Sequence, residues 1–420
     1  MKRGFYTIMA AQFFSSLADN ALLIAAIALL VELAAPEWMK PLLKLFFTVS
    51  YVLLAPFVGA FADSLPKGRV MFITNTIKVV GCALMFFTVH PLLAYAVVGL
   101  GAAAYSPAKY GILTELLPPE KLVAANGWIE GTTVGSIILG TVLGGVLISP
   151  AVSGALLGLD LPRIDTGIDT PAESAILVIA GVYALAAGFN LFIPDTGARY
   201  ERQSPHPLHL LRDFGHCLAV LWKDKLGQIS LAVTTLFWGA GATLQFIVLK
   251  WAEVQFGMPL NRAAILQGIV AVGIAGGSVI AARFIRLRAS LRVLPCGVAM
   301  GLIVPMMTLV HSHELAYTLL VLVGALAGFF VVPMNALLQH RGHVLMSAGN
   351  SIAVQNFNEN LNVLVMLGLY ALMLGAGWHI NTVIMIFGGF VALTMTAVMV
   401  LHRANQRHFD AVAQIPDSGH

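Results

Sequence analysis

Two stripes of polar side chains run down segments that are otherwise almost wholly apolar. Gln12, Ser15, Ser16, Asp19 and Asn20 follow the spacing i, i+3, i+4, i+7, i+8, which places them on one face of a helix. Ser351, Gln355, Asn358, Glu359 and Asn362 repeat the idea at i, i+4, i+7, i+8, i+11. Carboxylates among amides and hydroxyls are the groups that meet an ammonium and its neighbouring hydroxyls on a ligand. Lys109, with Tyr105 and Tyr110 beside it and Pro107 bending its helix, is the matching cation for an anionic group. Each has a plainer alternative. Asp19 could be a structural group bonded to a neighbouring helix, Lys109 could reach back to the nearby interface, and Lys78 is expected to reach the interface rather than bind. Glu130, one turn from Asn126, reads equally well as an interhelical bond.

The elements that hold these residues must be transmembrane helices. Over 420 residues, 58% are hydrophobic, 10% are charged and the mean hydropathy is +0.85. A membrane span needs about 20 predominantly apolar residues, whereas a β-barrel would alternate apolar and polar residues in pieces of about 10. The apolar stretches here are long and unbroken, so each satisfies its own backbone as a helix. Twelve spans are expected, near 5–33, 42–62, 70–89, 91–114, 121–148, 174–193, 227–254, 262–284, 291–310, 314–338, 347–375 and 379–402. An Asp at mid-bilayer costs about 2.5–3.5 kcal/mol on insertion scales, so the two polar stripes cannot face lipid. The opening Met1-Lys2-Arg3 and its apolar run could pass for a secretory signal, but Asp19 interrupts the run and no small-residue cleavage site is obvious; it reads as an uncleaved first span.

Most Lys and Arg, including Lys2, Arg3, Lys67, Arg69, Lys121, the basic residues of 199–225 and 283–292, Arg341, Arg403 and Arg407, fall on one side of the spans. The opposite loops hold only Lys40, Lys44, Arg163, Lys250 and Arg262. The richer side is read as the cytoplasm, with both termini there, in a bacterial inner membrane. The net charge of +4 fits this bias and contact with membrane lipid headgroups, and gives no support for nucleic acid as a partner. Cys82, Cys217 and Cys296 have no pairing or metal spacing, and no cofactor is expected.

The longest polar connection, 194–226, separates a six-helix bundle at 1–193 from a second at 227–402, with a tail at 403–420. Within it, Leu208, Leu211, Leu218, Leu221 and Trp222 could line one face of a short surface helix, or the segment could be a flexible charged linker. The halves resemble one another. Pro107-Ala-Lys109 recurs as Pro333-Met-Asn335, and Ala125-Asn126-Gly127 recurs as Ala348-Gly349-Asn350. Duplicated halves place a substrate site at their interface near mid-bilayer. Gly127, Gly131, Gly135, Gly140 and Gly144, with Gly273 and Gly277, are read as helix-packing positions.

The loop after the second span, Gly59-Ala-Phe-Ala-Asp63-Ser-Leu-Pro-Lys67-Gly-Arg69, resembles the G-x-x-x-D-x-x-x-[RK] signature of the major facilitator superfamily. Gly59 permits close helix approach, and Asp63 can accept bonds from helix N-termini and from basic side chains such as Lys67 and Arg69, which makes a conformational latch. The matching place in the second half, Gly276-Gly277 to Arg292, lacks the Asp. Further segments, Ala18-Asp19-Asn20, Tyr105-Ser106-Pro107-Ala108-Lys109-Tyr110-Gly111, Leu236-Phe237-Trp238-Gly239 and Val354-Gln355-Asn356 with Glu359-Asn360, are similar to the bacterial lysophospholipid transporters of that superfamily.

That resemblance implies an all-α polytopic membrane protein with the major facilitator fold. It implies a flippase that moves lysophosphatidylethanolamine and related lysolipids from the outer to the inner leaflet, where a separate acyltransferase rebuilds the diacyl lipid. It would also place an Arg where this chain has Gln245, with Lys250 a little over one turn later. Headgroup contacts are then expected from Gln12, Asp19, Asn20, Lys109, Tyr110, Gln245, Gln355, Asn358 and Glu359. A proton-coupled drug or small-molecule transporter of the same fold has the same spans. A membrane acyltransferase would need a His with Asp five positions on; none of the 12 histidines has it, nor is there a nucleophile elbow or phosphate loop, so an enzyme is not expected.

Overall fold

The computed structural model describes residues 3–35, 39–87, 89–158, 169–200, 206–258, 260–408 and 412. Lys2, Arg163 and Arg202, used above for orientation, and most of the 403–420 tail beyond residue 408 lie outside them. Among the described residues there is no strand. The helices are α1 (Arg3–Glu32), α2 (Met39–Leu53), α3 (Ala55–Ser64), α4 (Lys67–Phe86), α5 (Pro91–Leu116), α6 (Leu122–Leu147), α7 (Pro150–Leu157), α8 (Pro171–Leu191), α9 (Pro207–Lys223), α10 (Gly227–Phe256), α11 (Leu260–Phe284), α12 (Leu294–Ile303), α13 (His313–Leu345), α14 (Ala348–Gly375) and α15 (Ile380–His408). Among the described residues, 11 helical segments are long and apolar enough to cross a bilayer, and α2 with α3 brings the number to 12 when taken as one bent span. The chain is a multi-pass, all-helical membrane protein.

Local sequence sets the helix ends. Thr170 and Glu173 close a reciprocal box at the start of α8: the Glu173 N–H donates to Thr170 Oγ1 at 3.3 Å, and the Thr170 N–H to Glu173 Oε2 at 3.0 Å. At the end of α10, Gly257 takes φ +60°, a left-handed turn that glycine adopts without a Cβ penalty. The second span differs from the straight helix expected over 42–62. It bends by 67° at Leu54, because Pro56 has no N–H to give and its ring crowds the preceding turn. An apolar groove of about 540 Å³ lies beside the bend, between α2 and α5, lined by Phe46, Val49, Leu53, Leu54, Val97 and Leu100. The 207–223 part of the 194–226 connection is the amphipathic helix α9 rather than a flexible linker; Leu221 is buried on it while Leu208, Leu211 and Trp222 are exposed.

Contacts divide the chain into two compact units. The first comprises 1–116, 135–214 and 348–353; the second comprises 117–134, 215–347 and 354–420. The boundaries run through α6 and α14, so each of these helices serves both units. In the first, α1 and α4 pack on α8, and α4 and α2 pack on α5, around a core of small and branched side chains such as Ala18, Ala21, Leu22, Ala25 and Ile179. In the second, α11 lies tightly along α13, and α12 and α10 pack on α15. Glycine makes the α11–α13 approach possible: a Cβ on Gly277 would sit 1.9 Å from the Ala325 carbonyl oxygen, and one on Gly273 2.4 Å from that of Val321.

Candidate functional site

Asp19 reaches into the middle of the first unit from α1. Lys78 Nζ, from α4, donates to Asp19 Oδ1 and Oδ2 at 2.8 and 2.9 Å and to Ser15 Oγ at 3.0 Å. The Tyr183 hydroxyl, from α8, donates to Asp19 Oδ1 at 2.7 Å, and the Ser15 hydroxyl to Asn75 Oδ1 at 2.7 Å. The ammonium also stands 5.1 and 5.4 Å from the ring centres of Tyr105 and Tyr183. The Lys78 side chain is 1% exposed and that of Asp19 22%. Gly101 on α5 makes the room, since a Cβ there would lie 2.8 Å from Lys78 Cγ. The expectation that Lys78 snorkels is corrected: with a carboxylate inside the same unit, pairing satisfies the charge without reaching water. Tyr105 correspondingly lies against Lys78, not beside Lys109 as the sequence suggested.

A second cluster surrounds the loop signature. Lys67 Nζ donates to Asp63 Oδ1 at 2.6 Å and to the Ala62 carbonyl at 2.8 Å, and lies 3.5 Å from Glu115 Oε1. Asp63 Oδ1 also accepts the Gly349 N–H at 3.0 Å, in the first turn of α14, where orphan donors and the positive end of the helix dipole favour a carboxylate. Two glycines allow this approach. A Cβ on Gly349 would stand 2.6 Å from Asp63 Oδ1, and one on Gly59 2.5 Å from Asn350 Oδ1. Thr196 and Tyr200 bond the carboxylate of Glu115 at 2.7 and 3.0 Å. Burial, followed by the Glu115 charge, pushes the Tyr200 hydroxyl well above the usual tyrosine range. Arg69 stays out of this cluster and is exposed. Its charge adds weakly to Asp195, whose bonds from Arg199 and from the Gly197 N–H hold that carboxyl down at about 2.

The second unit contains a chain of neutral amides with a carboxylate at each end. The Asn335 amide, from α13, donates to Glu130 Oε1 of α6 at 3.3 Å. Gln355 Nε2, from α14, donates to Asn335 Oδ1 at 3.1 Å and to Glu359 Oε1 at 2.8 Å, while the Thr234 hydroxyl of α10 donates to the Leu231 carbonyl of its own helix at 3.2 Å. One turn away, Asn126 and Gln339 exchange two amide bonds at 2.9 and 3.0 Å. Glu130, Asn335, Gln355 and Glu359 are 4, 2, 6 and 7% exposed.

Other expected site residues fall elsewhere. Gln12 is 1% exposed and Asn20 donates to the Ser16 carbonyl of its own helix at 2.8 Å. Lys109 stands 4.2 Å from the centre of the Tyr110 ring. Gln245 is exposed, and its backbone carbonyl accepts from the Gln267 side chain at 2.8 Å. Asn358 turns away from the amide chain: it donates to the Val354 carbonyl at 2.7 Å and accepts from the Trp222 indole at 3.2 Å. Of the glycines, Gly127 packs against Ala282, with a built Cβ 2.5 Å away. Gly131 has open space there and Gly135 only Phe13 at 3.9 Å, so the close-packing reading is corrected for both: the close approach made at Gly127 does not continue to these two positions.

Sequence reasoning missed Tyr183, Asn75, Gln339 and the pair Asp224–Arg341. Arg341 donates to Asp224 at 2.5 and 3.1 Å, and Asp224 in turn accepts the Gly227 N–H at 2.7 Å at the start of α10. A signal for this pair was available. Glu115 lies eight residues past Pro107 and Arg341 eight past Pro333, so the repeat that aligns the prolines also aligns these two charged ends.

The family model of the Major Facilitator Superfamily matches residues 8–361. A lysophospholipid transporter of Yersinia enterocolitica is 44% identical over 378 residues, covering 90% of this chain and 89% of its own. One from Yersinia pestis is 43% identical over 380 residues, covering 90% and 88%. Among solved structures, the human organic anion transporter MFSD10 superposes with a TM-score of 0.72 at 15% identity, covering 95% of this chain and all of its own. The transporter FucP in its outward conformation gives 0.69 at 15% identity, covering 96% and 98%. At such identity the structures speak for the fold alone, while the sequence matches cover most of the chain. The chain belongs to the Major Facilitator Superfamily.

Proposed function

We propose that this protein carries lysophospholipids, lysophosphatidylethanolamine among them, from the outer to the inner leaflet of a bacterial inner membrane. The observation that carries the reading is 44% identity over 90% of the chain to a protein named as a lysophospholipid transporter. The physical problem suits these residues. A single acyl chain gains about 0.8 kcal/mol per buried methylene and prefers hydrocarbon throughout, so only the headgroup needs shelter. Lys109 with Tyr110 is assigned to the phosphate. Glu359 is assigned to the ammonium, since the charge of Asp19 is already matched by Lys78. Gln355 is assigned to the glycerol hydroxyls, while Asn358, expected beside it, is held by Trp222 and the Val354 carbonyl.

In this reading the halves 1–193 and 227–402 rock in alternating access, with Gly59, Asp63 and Lys67 as the latch and both termini cytoplasmic. The protein performs no covalent chemistry; a separate acyltransferase consumes the delivered lipid. The decisive experiment is uptake of labelled lysophosphatidylethanolamine into proteoliposomes containing only this protein. Saturable uptake, undiminished by a protonophore and not competed by hydrophobic cations, is expected. Uptake no faster than in protein-free vesicles would refute the assignment, and competition by hydrophobic cations alone would favour a drug transporter.

A further inference from the structure

The carboxylates of the two units have different partners. In the first unit Asp19 has Lys78 and Asp63 has Lys67. In the second, Glu359 is bonded by the neutral amide of Gln355, and no cationic side chain bonds it among the described residues.

Among the described residues of α14, α10, α13 and α6, no positive charge bonds Glu359. On α14 there is no other charged residue between Ala348 and Gly375. On α10 the first is Lys250, sixteen residues past Thr234 and so roughly 24 Å along the helix. On α13 the basic groups are His313 at its start and His340, Arg341 and His343 near its end, and Arg341 is committed to Asp224. From α6 the facing titratable group is Glu130, itself a carboxylate. Two ionised carboxylates joined through Asn335 and Gln355 would repel one another in a medium where an unmatched charge costs several kcal/mol.

Gln355 adds an independent sign. Its Oε1 is buried and has no hydrogen-bond donor, in a side chain that is 6% exposed and already touches both Asn335 and Glu359. Ser351 Oγ, one turn earlier on the same face, is likewise buried without a partner. A carboxylate can only accept, so it adds nothing for such an acceptor. A carboxylic acid supplies the O–H that such an acceptor lacks.

We infer that Glu359, hydrogen-bonded through Gln355 and Asn335 to Glu130, is a proton-binding site within the membrane, occupied at neutral pH. The ligand is a proton rather than a metal or sodium ion, because the orphaned oxygen calls for a donor and the amide protons already point at the carboxylates. The inference stands on residues of the second unit; it modifies the ammonium assignment above, because Glu359 meets an ammonium as a carboxylate only after giving up this proton.

The test is infrared difference spectroscopy on the full-length protein in nanodiscs as pH is varied. The wild type should show a protonated-carboxyl band at neutral pH that shifts in heavy water, disappears in Glu359→Gln and persists in Asp19→Asn. Glu130→Gln should move loss of the band to lower pH: removing the opposing negative charge makes the ionised form of Glu359 less costly, so its proton leaves more readily. Replacing potassium by sodium should leave the band unchanged. A band identical in wild type and Glu359→Gln, or one abolished by sodium, would overturn the inference. Should Glu359→Gln fail to fold, glutamate labelled with heavy carbon in wild type and Glu130→Gln protein gives the same readout, and a neutral-pH band that ignores the label would overturn it equally.

Discussion

Lys78 and Asp19 form a two-pronged ion pair within the membrane-spanning part of the chain, 59 residues apart in sequence and 2.8 and 2.9 Å apart at their charged atoms. Breaking such a pair from one side leaves an unmatched charge, which typically costs about 3–5 kcal/mol. Lys78→Met should therefore lower the melting temperature of the purified protein sharply. Lys78→Met combined with Asp19→Asn should recover much of the loss, and simple additivity of the two would count against the pair.

Gly349 and Asp63 give a steric test of the loop cluster. Gly349→Ala places a methyl 2.6 Å from Asp63 Oδ1 and from the Gly59 carbonyl oxygen, so the α3–α14 approach must open. Overpacking of this kind costs about 1–3 kcal/mol. Lower thermal stability and slower lysolipid uptake are expected, whereas Gly131→Ala, with open space around it, should change neither.

The pairing of Asp224 with Arg341 predicts an acid limit. Burial alone would raise the Asp224 carboxyl, but the Arg341 bond and the N–H groups of Gly227 and Leu226 outweigh it and hold it below the usual aspartate range. The folded state therefore binds this proton less readily than the unfolded chain. The pair's contribution is full above the ordinary aspartate value of about 3.9 and is lost as pH falls through the lower folded value. The melting-temperature gap between wild type and Asp224→Asn should stay level from neutral pH to about 5 and narrow only below about 4.

Asn126 and Gln339 should behave as a coupled pair. Removing either amide strands its buried partner, at about 1–3 kcal/mol. Asn126→Ala and Gln339→Leu together should destabilise by less than the sum of the two single changes, as measured by chemical or thermal unfolding.

For transport, Lys109→Ala should reduce lysolipid uptake about tenfold or more, since a hydrogen bond to a charged group is worth about 1.5–3 kcal/mol and about 1.4 kcal/mol is tenfold. Unchanged uptake would remove Lys109 from the phosphate role.

The sequence by itself determined twelve spans, α2 with α3 counted as one, and most of their limits to within a few residues, α13 and α15 running six or seven residues past theirs, because a bilayer demands some twenty apolar residues wherever a helix crosses it. It also determined that Asp19 and Glu359 lie on polar helix faces, a matter of periodicity within one segment. What it could not determine was which charge meets which. Lys78 and Asp19 lie 59 residues apart, Asn335 and Glu130 205, and Gln339 and Asn126 213. Their meeting depends on how each helix is rotated and how closely neighbours approach. That is set by distant small residues such as Gly101, which leaves room for the Lys78 side chain, and Gly277, which admits the Ala325 backbone. Tertiary packing alone decided that Asp19 is matched by a lysine while Glu359 is left with neutral partners, because burial makes the choice of partner, rather than the presence of a charge, the quantity that fixes each group's chemistry.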